Sequence, residues 1–114
     1  MSIAEYFATG SAIERPIYEA VFAHLDTLGP LYVEFVSVGI FFKRLRTFAE
    51  LRPGRDRVVL SILLSRKLQH PRISRVWKST AGLRFAYFLS LHAAEDIDDE
   101  IRDWLSEAYA ASPT

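Results

Sequence analysis

Residues Leu31–Leu64 read LYVEFVSVGIFFKRLRTFAELRPGRDRVVLSILL, a run dominated by strand-forming side chains. Leu31–Lys43 is dense in β-branched and aromatic residues: Tyr32, Val33, Phe35, Val36, Val38, Ile40, Phe41 and Phe42. Such side chains fit a pleated, half-buried surface, so the segment reads as one strand with Gly39 as a bulge or bend. Arg44–Arg52 alternates, with Leu45, Thr47, Ala49 and Leu51 on one face and Arg44, Arg46, Phe48, Glu50 and Arg52 on the other. Pro53-Gly54-Arg55-Asp56 supplies turn chemistry. Arg57–Leu64 is almost continuously apolar, the pattern of a central strand covered on both sides.

Helical periodicity appears on either side of this core. Pro16 opens a helix, since its missing N–H has no partner in a first turn anyway. A capping box is also readable at Ser11-Ala12-Ile13-Glu14, but it would put Pro16 inside the helix. Ile17, Val21, Leu25 and Leu28 form the stripe, Tyr18 and Phe22 widen it, and Gly29-Pro30 ends it. Toward the C-terminus, Ser65–Ser79 has no clean period and holds Pro71, so it reads as a basic loop. Leu83–Leu91 reads as a fourth strand, and Ala93–Ala111 as a helix with Ile97, Ile101, Trp104, Leu105, Ala108 and Tyr109 on one face. The expectation is an α+β fold: a four-stranded antiparallel meander with an N-terminal and a C-terminal helix packed on one face, all within a single domain spanning 1–114. Disorder is expected only at Met1–Ser2 and Ala111–Thr114.

Composition narrows the chemistry. A chain of 114 residues that is 50% hydrophobic and 25% charged can bury one core without staples. It has no cysteine, which removes disulfides, thiolate metal sites and thiol catalysis. The N-terminus does not read as a secretory signal and no apolar run approaches a membrane span, so a cytoplasmic protein with no membrane partner is expected. Net charge is zero but unevenly laid out. Residues 1–42 hold one base against five acids, residues 43–84 twelve bases against two acids, and residues 85–114 one base against seven acids. A basic middle between acidic ends means either internal pairing or an anion-binding surface.

Several stretches together carry a resemblance. They are Glu5-Tyr6-Phe7, Leu28-Gly29-Pro30, Arg46-Thr47-Phe48-Ala49, His70-Pro71-Arg72-Ile73, Asp96-Ile97-Asp98-Asp99-Glu100 and Trp104-Leu105-Ser106-Glu107-Ala108-Tyr109. The chain resembles a small bacterial domain-of-unknown-function family, found alone or at the end of predicted transport and nuclease-like proteins. The resemblance covers nearly the whole chain. It implies an α+β fold and carries over no functional residues.

The candidate site is the basic 43–84 segment. Arg66, Lys67, His70, Arg72, Arg75 and Lys78 surround Trp77, and arginine forks suit phosphates while an indole stacks on bases. Arg44, Arg46 and Arg52 beside Phe48 form a second cation–aromatic face. The acids of Glu95–Glu100 have a local role at a helix start. Arg66, Lys67, Arg72, Arg75 and Lys78 are therefore expected to remain available on one surface. Against this stands the plainer reading, a solvated loop paired with the acidic ends. His92 with Asp96 offers two ligands, too few for a metal, and the Glu95–Glu100 run lacks calcium-loop spacing. No Gly-x-Ser-x-Gly and no phosphate loop occurs, and no metal or cofactor is implied. The reading is a non-catalytic binding module for an anionic ligand or nucleic acid. The alternative is a protein-interaction or homodimerisation module, with a second copy or a host protein on a strand edge or on the aromatic surface of Tyr32, Phe35, Phe41 and Phe42. The third is a small-molecule enzyme with a pocket between sheet and helices.

Overall fold

A computed structural model describes residues 1–79 and 84–112. The elements in chain order are α1 (Ile3–Tyr6), α2 (Glu14–Asp26), β1 (Tyr32–Val36), β2 (Gly39–Lys43), β3 (Thr47–Pro53), β4 (Val58–Leu64), β5 (Ile73–Lys78), β6 (Phe85–Leu91), a 3₁₀ turn (Ala94–Asp96) and α3 (Asp99–Ala111). The sheet is antiparallel with strand order β1-β2-β3-β4-β6-β5. The fold is α+β, but the sheet has six strands, not four. Both additional strands are edges. Leu31–Lys43 is not one strand but a hairpin, folded at Ser37-Val38. The second half of the supposed loop, Ile73–Lys78, pairs with β6. The inner order β2-β3-β4-β6 is that of the expected meander.

Alternation sorts the side chains onto two faces. One row runs Val33, Phe42, Ala49, Ile62, Tyr87, and another Phe35, Ile40, Leu51, Leu60, Leu89. These rows join Ile17, Val21 and Leu25 of α2 and Ile101, Trp104, Leu105 and Ala108 of α3 in one buried core. The helices thus lie on one face, as the apolar stripes require. Among the described residues the other face carries no helix. A row there runs Glu34, Phe41, Glu50, Ser61, Phe88, Arg75 across all six strands. β4 is therefore covered on one side only: Val58, Leu60, Ile62 and Leu64 are buried, whereas Val59, Ser61 and Leu63 are only partly so.

Local chemistry sets the boundaries. Glu14 opens α2, with Pro16 in its first turn, but no capping box forms. Ser11 Oγ instead accepts from Ile13 N–H, and the Glu14 carboxylate, buried in the fold, accepts a short hydrogen bond from the Tyr6 hydroxyl. Gly29 has φ +143°, and a Cβ there would sit 2.6 Å from the Tyr109 hydroxyl, which itself donates to the Pro30 carbonyl at 2.9 Å. Only glycine meets both demands. At Gly39 a Cβ would lie 2.3 Å from the Leu51 carbonyl oxygen, so glycine lets β2 approach β3. The expected single C-terminal helix is broken in two. Asp96 accepts from the His92 and Ala93 N–H groups, and Asp98 then caps α3 by accepting from Ile101 N–H at 3.1 Å. Ser2 caps α1 in a capping box with Glu5, and Ser112 is buried. Leu83 and residues 113–114, part of the expected strand and tail, lie outside the described residues.

Candidate functional site

The basic segment divides between the two faces of the sheet. Arg66 makes a two-pronged ion pair with Glu107 of α3, Nε to Oε2 at 2.8 Å and Nη2 to Oε1 at 3.0 Å. This pairing pushes the Arg66 guanidinium above its usual range. Arg72 reaches both Asp98 carboxylate oxygens at 2.9 Å, Glu100 Oε1 at 3.3 Å and the Asp96 carbonyl at 2.9 Å. Partial burial opposes its charge, yet the two carboxylates hold it above the ordinary arginine value. Arg72 in turn holds the Asp98 carboxyl below the usual range, helped by the Ile101 N–H.

His70 joins the same anchor. Its Nδ1 accepts from Arg72 N–H at 3.1 Å, which leaves the proton on Nε2, 2.9 Å from Glu100 Oε2. The ring edge meets Trp104 at 5.1 Å between centroids. Arg44 bridges from the β2–β3 turn to the C-terminal end of α3, donating to the carbonyls of Tyr109 at 2.8 Å and Ser112 at 3.1 Å. That is where a cation best satisfies a helix end.

The expectation that Arg66, Lys67, Arg72, Arg75 and Lys78 share one free surface therefore gives way. Arg66 and Arg72 fasten the 65–72 loop to the acidic helix, the internal pairing that the charge layout had left open. The Arg44–Arg46–Phe48–Arg52 face also fails to assemble. Residues 44–46 form a turn rather than strand, and Phe48 is buried edge-on against Tyr109. Arg46 is exposed at that turn. Tyr32, Phe35, Phe41 and Phe42 do not form one aromatic surface either: Phe35 and Phe42 face the helices, and Tyr32 and Phe41 face away from them.

Besides Arg46 and the exposed arginines around the β3–β4 turn, cations stay exposed along β5 and just before it. On β5, Arg75 lies 4.2 Å over the Phe88 ring, Trp77 is 56% exposed, and Lys78 is exposed at the strand end. Lys67 is exposed on the loop before them. No acid occurs between Ser65 and Leu91. Beside Trp77 a shallow hollow of about 160 Å³ is lined by Thr47, Glu50, Ser61, Leu63, Ala86 and Phe88, among others. It exists because Ser61 and Ala86 are small where their neighbours Trp77, Leu63 and Phe88 are large. At its rim Glu50 Oε2 accepts from Ser61 Oγ at 3.3 Å and lies 3.5 Å from Arg52 Nε. Between sheet and helices, a hollow of only about 30 Å³ opens at the end of α3, room for roughly one water. Among the described residues no group of three or more His, Cys, Asp or Glu could hold a metal ion, and no helix is long and apolar enough to cross a membrane.

Trp77, expected on a loop among cations, lies on strand β5 beside Arg75 and Lys78, and Glu50, Ser61 and Phe88, which the expectation did not single out, line the hollow next to it. The available signal was the pair of alternations Val59-Ser61-Leu63 and Ala86-Phe88-Ser90, half-polar strings within strands that look apolar throughout.

Fold and site together define a small α+β domain whose antiparallel sheet is helix-covered on one face and carries an exposed cation–aromatic strip on the other. The chain belongs to the family described as Domain of unknown function (DUF5655), whose model matches residues 3–112. It matches no curated protein and no solved structure.

Proposed function

We propose that this chain is a non-catalytic binding module that takes single-stranded nucleic acid on the β5–β6 side of its helix-free sheet face. The observation that carries the reading is Arg75 beside Trp77 on the open face of an edge strand, with Lys78 exposed at the strand end and no acid in the Ser65–Leu91 segment itself. Every base has a π-face that an exposed indole can stack on, and a cation beside it can meet the backbone phosphate. The Arg75 guanidinium already sits 4.2 Å over the Phe88 ring, a cation–π contact that uses none of its N–H groups. The contact set is small, so binding is weak and depends on salt.

Fluorescence anisotropy with labelled oligonucleotides from low to moderate salt tests this. Trp77→Ala should weaken binding at least about fivefold, from the stacking value of ~1–3 kcal/mol per base, and leave the salt slope unchanged. Changing Arg75 and Lys78 together to Ala should flatten the slope by about 1.4, at ~0.7 per lost contact. Absence of binding at low salt would overturn the reading.

One observation favours a second reading, an interaction module. The outer edge of β5 is unpaired among the described residues, with Val76 51% and Trp77 56% exposed. Such an edge can accept another strand, from a second copy or a host protein. A dimer in sedimentation at micromolar concentration that Val76→Lys dissolves would support it.

A further inference from the structure

The hollow beside Trp77 has a chemistry of its own, and the role assigned to it rests on the nucleic-acid reading of this face. Its floor is apolar and small-residue, formed by Ala86 and Ser61 between the larger Leu63 and Phe88, so it suits the flat face of one ring. Its rim carries one carboxylate. Glu50 Oε2 accepts from the Ser61 hydroxyl at 3.3 Å and has the Arg52 guanidinium 3.5 Å away, so both neighbours lie on one side of the carboxylate. Its other oxygen, Oε1, has no hydrogen-bond partner among the described residues. A held carboxylate oxygen accepts N–H donors and repels carbonyl oxygens. Cytosine and adenine present an exocyclic amino group, and carboxylates read cytosine through that group. Thymine and uracil flank their single N–H with two carbonyl oxygens. We infer that the hollow is a base pocket in which Glu50 selects an amino-bearing base over thymine or uracil, with Ser61 and Arg52 as positioning residues.

The test compares oligo-dC with oligo-dT of equal length by anisotropy at one low salt concentration. Both are pyrimidines that differ in the exocyclic group at C4, the proton on N3 and the 5-methyl of thymine, and an oligo-dU arm removes the methyl difference. The wild-type chain should bind dC at least about fivefold more tightly, the low end of the ~1–3 kcal/mol that a good bidentate base contact discriminates, since this contact has one acceptor. Glu50→Gln should bring the two within about twofold, because an amide both donates and accepts. Its salt slope and melting curve should match those of the wild type. Ser61→Ala, which frees the carboxylate without removing it, should narrow the preference part-way and covers the case in which Glu50→Gln folds poorly. Equal binding of dC and dT by the wild type, or a dC preference that survives in a folded Glu50→Gln chain, would overturn the base pocket and leave the stacking strip intact. Failure of both oligonucleotides to bind would overturn the nucleic-acid reading itself.

Discussion

The two tryptophans show how far one residue type can differ by position. Trp104 is 6% exposed between α3 and the His70 ring, and Trp77 is 56% exposed on an edge strand. Trp104→Ala should cost about 3–5 kcal/mol because a large buried ring leaves a cavity. Trp77→Ala should cost under about 1 kcal/mol and should act on binding instead. Denaturant melts decide it, and equal losses would move Trp77 into the core. Glu14 makes a different case. Burial raises its carboxyl above the ordinary value, partly offset by the hydrogen bond from the Tyr6 hydroxyl, and burial with the same pairing pushes the Tyr6 phenol up. A carboxyl with a raised folded-state pKa contributes stability that is present below its unfolded value near 4.5 and lost as pH rises through the folded one. Glu14→Gln, which carries no charge to bury, should therefore melt with less loss between acid and neutral pH than the wild type. Parallel pH profiles for the two chains would refute this.

Among elements, the 65–72 loop was readable as basic but not as an anchor. Its function follows from where α3 lies, and that is a tertiary fact. Arg72→Ala should cost about 1–3 kcal/mol, since it strips charged hydrogen bonds from two carboxylates and a carbonyl. Arg66→Ala should cost about 0–1 kcal/mol because its pair with Glu107 is exposed to solvent. Neither should change oligonucleotide affinity as much as Arg75→Ala. Asp98 adds a pH signature of opposite sign to that of Glu14. Its lowered carboxyl contributes stability present above the unfolded value near 3.8 and lost as pH falls through the folded one. Asp98→Asn should thus flatten the acid limb of the stability curve, read by thermal melts across that range. An unchanged acid limb would mean that the Arg72 pair contributes nothing.

At the scale of the molecule the sheet has, among the described residues, two free edges, β1 and β5, and one open face. Arg75 and Lys78 on the β5 edge place like charges where a second copy would dock, a device that discourages edge pairing. The nucleic-acid reading therefore expects a monomer in sedimentation at micromolar concentration. A stable dimer under those conditions would shift the assignment of β5 to the interaction reading. The zero net charge conceals this layout. Arg66 and Arg72 of the loop are paired on the helix side, and Arg75 is left on the open face with Lys78 at the β5 end.

The sequence alone determined the α+β class, the core stripes of α2 and α3, and the order of the four inner strands. These rest on hydrophobic periodicity, which is strongest where an element is packed on at least one long face, as Ile17-Val21-Leu25 and Val58-Leu60-Ile62-Leu64 are. The two edge strands escaped it for reasons particular to each. The β1–β2 hairpin turns at Ser37-Val38, before the Gly39 that reads as a bulge, so its apolar run looks unbroken. β5 is exposed along almost its whole length and holds too few buried residues to show a period. The capping role of Asp96 and Asp98 was foreshadowed by acids at a helix start. Which arginines those acids would bind was not, because a salt bridge between Arg72 and Asp98 depends on a loop and a helix brought together across 26 residues. The candidate site was decided only by the tertiary structure. Pairing on the helix side removed Arg66, Arg72 and Arg44 from it, and strand register brought Glu50, Ser61, Phe88 and Trp77 around one hollow.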